Sequence, residues 1–94
     1  MFPFSDLVQD LKITPEGTEA FVGDVIKCSA HGNPTPTFQL EPMADKNGRG
    51  WSSFVVSSDY ADKDLSVLCT ASNTVNKTTE QLTANRTFRI YGRR

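Results

Sequence analysis

The chain reads as short stretches in which apolar and polar residues alternate, separated by clusters of Gly, Pro, Asn, Ser and Thr. Alternation with a period of two marks a strand with one face buried. The first such stretch is Leu11-Lys12-Ile13, halted by Thr14-Pro15-Glu16-Gly17, and Ala20-Phe21-Val22 follows, ended by Gly23-Asp24. Ile26, Cys28 and Ala30 then share a face. His31 to Pro36 is predicted to be a turn, because Pro34 and Pro36 fix φ and remove two backbone donors. Phe38-Gln39-Leu40 resumes the pattern. The polar stretch from Glu41 to Gly50 contains Asn47-Gly48, a strong hairpin-turn signal. Trp51 to Val56 is predicted as a strand with Phe54 and Val56 on one face, followed by a charged connection from Ser57 to Asp64. Leu65, Val67, Cys69 and Ala71 form the next inward face, and Asn73 to Thr79 reads as a polar turn. Leu82, Ala84, Phe88 and Ile90 form the last one, with Arg86 as the exception on it. No helix longer than a turn or two is predicted. Seven short strands without a crossover helix imply an all-β, two-sheet antiparallel sandwich.

Length and charge bound this picture. The 94 residues make one small domain, with its core between about residues 8 and 92. Ten Lys and Arg against eleven Asp and Glu leave a net charge of −1. That balance, with no basic stripe along the chain, argues against nucleic acid as a partner. No apolar run is long enough to span a bilayer. The start, Met1-Phe2-Pro3-Phe4-Ser5, lacks the basic and long apolar regions of a signal peptide, so the segment is expected to be cut from a larger secreted or membrane-anchored protein.

Cys28 and Cys69 are the two cysteines. They are too far apart for a redox C-x-x-C motif, and with His31 the only histidine they make no four-ligand zinc set. The simplest reading is one disulfide between inward positions of two strands, tying the sheets together. It would close a loop of about 42 residues, worth about 4 kcal/mol by loop entropy. The other reading is two buried free thiols in a reducing compartment. Asn76-Lys77-Thr78 and Asn85-Arg86-Thr87 fit the N-glycosylation pattern, whereas Asn33-Pro34-Thr35 carries the forbidden proline. Asn85 falls on the outward parity of its strand and Asn76 in a turn, so both are expected to be accessible.

Three stretches resemble an immunoglobulin-like domain, and the resemblance covers nearly the whole chain. Cys28-x-Ala30-x-Gly32-Asn33-Pro34-x-Pro36 is similar to the B strand and B–C turn of I-set modules in cell-surface receptors and adhesion proteins. Cys69-x-Ala71-x-Asn73 is similar to their F strand, and Phe54-x-Val56 lies where their E-strand apolar pair falls. The chain departs from the family in two places. Leu40 stands where the core Trp belongs, and Val67 replaces the tyrosine of the corner that precedes the second cysteine. The short spacing between the cysteines implies an I or C2 arrangement of about seven strands, not a variable-type domain. Trp51, the only indole, is a candidate to lean over the disulfide in place of the missing ring, although its parity opposes that of Phe54 and Val56.

The resemblance implies a non-catalytic, extracellular or cell-surface module that binds another protein for adhesion or ligand recognition, with no cofactor, small-molecule substrate or nucleic acid. Gln39, Glu41, Arg89 and Tyr91 are its candidate contact residues, because the C and G strands of the family share a sheet that often makes protein contacts. An ordinary mixed-charge surface is the plainer reading of those four. Intracellular muscle-type spacers and secreted decoy or defence factors share the same pattern; any enzymatic or kinase activity would lie elsewhere in a parent chain. His31 is expected to be a solvated loop residue. Asp59, Asp62 and Asp64 are expected to be a solvated acidic turn, with Ca²⁺ ligation as the other reading.

Overall fold

A computed structural model of the chain describes residues 5–92. Eight strands run in the order β1 (Asp6–Thr14), β2 (Glu19–Phe21), β3 (Val25–Asn33), β4 (Thr37–Glu41), β5 (Lys46–Gly48), β6 (Trp51–Val55), β7 (Asp64–Val75) and β8 (Thr78–Tyr91), with one 3-10 turn at Ser58–Tyr60. They form two four-stranded sheets, β1-β3-β6-β5 and β2-β8-β7-β4. Every pairing is antiparallel except that of β2 with β8, which is parallel and so departs from the all-antiparallel expectation.

The predicted inward faces close on one another. Ile26, Cys28, Leu40, Phe54, Val56, Leu65, Val67, Cys69, Phe88 and Ile90 lie in a single buried cluster between the sheets. Cys28 on β3 and Cys69 on β7 are joined by a disulfide across it, with Cα atoms 6.5 Å apart. Leu40 is buried and pairs in register with Cys69, so the aliphatic side chain occupies the core beside the bridge. Arg86 has the parity of the apolar face. Its guanidinium leaves the core sideways, where Nη1 donates to the carbonyls of Ile13 at 2.9 Å and Pro15 at 2.8 Å. It thereby satisfies two backbone acceptors where β1 ends.

Four local expectations are corrected. Asn47-Gly48 is not the turn: both residues belong to β5, and the reversal occurs at Arg49-Gly50, where Gly50 has φ of +81°. β3 runs on to Asn33, paired with Asp6, so His31 is an exposed strand residue and not a loop residue. The polar turn after Asn73 shrinks to Asn76-Lys77, with φ of 50° and 67°. Positive φ at both central residues is the two-residue hairpin geometry that matches strand twist. Trp51 does not approach the disulfide. It pairs with Ser29 and Gly48 on the outer face of its sheet, as its parity demands, and its indole lies against Gly48, where a Cβ would collide with the ring.

β1 also starts earlier than its alternation suggests. Register shifts between Asp6 and Gln9 and between Gln9 and Lys12, with Asp10 at φ of 59°, insert extra residues into the strand. Such bulges put Val8 and Ile13, of opposite parity, on the same buried side.

Candidate functional site

The residues that follow the two cysteines in their motifs, Ala30, Gly32, Pro34 and Pro36 after Cys28 and Ala71 and Asn73 after Cys69, meet at one end of the sandwich. Val8, Ala30 and Ala71 form a second, small buried cluster there. Asn73 is buried beside them although it is polar. Its Oδ1 accepts from the Val8 backbone N–H at 2.8 Å. Its Nδ2 donates to the carbonyls of Asp6 at 2.8 Å and Pro34 at 2.9 Å. One amide therefore ties β7 to the start of β1 and to the turn after β3. Gly32 makes room for it: a Cβ there would sit 2.8 Å from Asn73 Nδ2 and 3.0 Å from Pro36 Cγ. This cluster frames the end of the fold, and both polar atoms of the amide are occupied within it, by three hydrogen bonds to backbone.

The candidate contact residues Gln39, Glu41, Arg89 and Tyr91 are all exposed on the β2-β8-β7-β4 sheet. The register divides them. Glu41 pairs with Leu68, and Leu68 pairs with Asn85, so these three form one row across the sheet. Arg89 and Tyr91 lie four and six residues farther along β8, about 13 and 20 Å away at strand rise. Both have local partners. Arg89 Nη1 lies 3.8 Å from Asp64 Oδ1. Tyr91 donates its hydroxyl to Glu19 at 3.1 Å and packs its ring 5.6 Å from that of Phe21. The hydrogen bond to Glu19, then the Glu19 charge, raise the Tyr91 pKa above its ordinary value, with Arg89 opposing. The four residues thus make two separate groups on one face.

Asn85 is exposed between those groups, in mid-strand, and Asn76 is exposed at the tip of the β7–β8 hairpin. Both sequons are accessible. A glycan on Asn85 would stand beside Leu68 and in one row with Glu41, two strands away.

Two open concavities flank these features. One, of about 620 Å³, runs along β4 beside the approach to β5, lined by Phe38, Leu40, Met43 and Ala44 among others. The other, of about 330 Å³, lies at the motif end between His31, Asn33, Thr35 and Arg49. His31 Nδ1 there meets Asp10 Oδ2 at 3.3 Å, both side chains largely in solvent. Among the described residues, no three His, Cys, Asp or Glu side chains are grouped to hold a metal ion, Asp59, Asp62 and Asp64 included. No helix among them is long and apolar enough to cross a membrane.

Sequence reasoning missed the surroundings of Trp51. Lys27 Nζ lies 4.9 Å from the centre of its ring. The signal was available in the shared odd parity of Lys27 and Trp51, but the pairing of β3 with β6 was needed to bring them together.

No protein-family model matches the chain, and no curated protein or solved structure does either.

Proposed function

We propose that this chain is an immunoglobulin-like, non-catalytic module of a secreted or cell-surface protein, which binds another protein in adhesion or ligand recognition. The observation that carries the reading is the order of the strands around the disulfide. The sheets β1-β3-β6-β5 and β8-β7-β4 have the A-B-E-D and G-F-C order of constant-type immunoglobulin domains, with the bridge between the strands corresponding to B and F. β2 adds a short parallel strand beside β8. Persistent disulfides belong to oxidising compartments, which supports an extracellular setting. The exposed sequons at Asn76 and Asn85 agree with it.

The test is the intact mass of this segment secreted from eukaryotic cells, measured with and without alkylation and before and after N-glycan removal. The expected result is a mass two hydrogens below the reduced form, no alkylation without reductant, and glycan at one or both asparagines. Reactive thiols and bare asparagines would instead point to an intracellular spacer. Protein binding is then read by screening cell-surface proteins and self-association. Gln39→Ala with Glu41→Ala, and Arg89→Ala with Tyr91→Ala, separate the two groups of contact candidates.

A further inference from the structure

The outer face of the β1-β3-β6-β5 sheet collects cations that are far apart in sequence. Register places Thr14, Lys27, Ser53 and Lys46 in one row across four strands, and Lys12, Ser29, Trp51 and Gly48 in the next. Lys12 and Lys27 are diagonal neighbours, about 7–8 Å apart at the backbone. Lys27 and Lys46 face each other across Ser53, two strand spacings or about 10 Å apart. The three lysines, all exposed, therefore form a line across the strands. Neither row contains a carboxylate. The acids nearest in the chain are engaged at the margins: Asp10 with His31, Asp24 with the Phe21 N–H and Asp45 with the Val55 N–H.

The floor of this line is low and flat. Thr14, Ser29, Ser53 and Gly48 have small side chains or none, and the indole of Trp51 is laid against Gly48. Lys27 holds its ammonium over that indole. The opposite sheet is different: its exposed face carries Glu19, Glu41 and Asp64 against Arg89, which is paired with Asp64. A net charge of −1 thus conceals a basic face and an acidic one.

We propose that the Lys12–Lys27–Lys46 line with Trp51 binds a linear sulfated polysaccharide of the extracellular matrix or cell surface. Three cations in a row match an unbranched chain bearing repeated anions, and an anion that engages the Lys27 ammonium does so directly above the half-buried indole of Trp51. A protein partner of ordinary size needs an apolar centre within about 800 Å² per side. Here the exposed Val25–Val55 pair lies at the end of the sheet, outside the lysine line. The assignment rests on the extracellular reading above.

The test titrates the oxidised 94-residue chain with a heparin-derived decasaccharide in 0.15 M NaCl, following the emission of Trp51, the only indole. The expected result is a saturable change in emission. The logarithm of affinity should fall against that of salt with a slope of about −2, as for three charges on a single-stranded polyanion. Lys12→Gln, Lys27→Gln and Lys46→Gln combined should weaken binding by at least about ten-fold. Lys63→Gln with Lys77→Gln, outside both rows, should leave it within about two-fold. Melting curves check that the variants fold; Lys46→Gln alone, at an exposed edge, is the second variant and should weaken binding by about two- to three-fold. No binding, binding without an emission change, or equal loss in the Lys63/Lys77 variant overturns the proposal. So does equal affinity for the desulfated decasaccharide, an oligoglutamate peptide, oligothymidylate or anionic vesicles. Failure with the disulfide and glycans in place leaves the extracellular reading intact, whereas free thiols remove the ground for both.

Discussion

The two ends of the core are held by different means. Around the disulfide, the sandwich is filled with bulk: Phe88, Ile26, Ile90, Val56 and Val67 are essentially inaccessible to solvent. At the other end the fully buried side chains are Val8, Ala30 and Ala71, with Leu11, Phe38 and Leu82 only partly buried against them. There Asn73 joins three backbone segments by hydrogen bonds. The difference shows how one short motif can serve a sandwich. Where apolar volume runs out near the loops, backbone groups of the incoming strand still need partners, and a single amide supplies them. The glycine of the same motif is required by that solution, since it lets the amide approach the β3 backbone.

The largest effect should come from the bulky end. Phe88→Ala is expected to lower unfolding stability by about 3–5 kcal/mol through lost burial and a residual cavity, measured by denaturant unfolding. Asn73→Ala should cost less, about 1–3 kcal/mol, because it leaves the Val8 N–H and two carbonyls without their partner. Its signature is local. Hydrogen exchange at the Val8 amide should accelerate far more than exchange in β7 opposite Phe88. Equal acceleration at both ends would erase the distinction drawn between them. The smallest effect concerns Tyr91. Its folded pKa is raised, so whatever stability its bond to Glu19 contributes is present below the unfolded value near 10 and is lost as pH rises through the folded value. Absorbance titration at 295 nm should show the Tyr91 transition moving to lower pH in Glu19→Gln. No movement would separate Tyr91 from Glu19 in solution.

The elements that were legible in the sequence are those in which alternation runs unbroken. The even faces of β3 and the odd face of β7 could be read directly, and with them the positions of both cysteines. β1 was half visible because its bulges change parity between Val8 and Ile13. β5 was invisible because Asn47-Gly48 carries the local chemistry of a hairpin turn. In the fold, Asn47 bonds to the Ser52 hydroxyl and Gly48 accommodates an indole from the next strand. These are tertiary reasons that override a local signal. The contact candidates were legible as exposed residues and as members of one sheet. Their separation into two groups was not, because it depends on the register of β7 against β4 and β8. The lysine line was hidden for the same reason: its members come from three strands.

The disulfide and the lengths of β7 and β8 also have a mechanical consequence. Asp6 lies beside Asn73 near the hairpin end of β7, whereas Tyr91 lies beyond Arg89, which pairs with Asp64 at the other end. A pull applied between Asp6 and Tyr91 therefore runs along the strands of an object with a 51 Å long axis. Such a pull loads the β1–β3 and β2–β8 hydrogen bonds in shear, many at once, instead of opening them one by one. Once those bonds yield, the bridge between Cys28 and Cys69 carries the tension, and the chain between them is shielded from extension. The same covalent tie that closes the core would act under load as a stop, setting how far the domain can lengthen before a bond has to break.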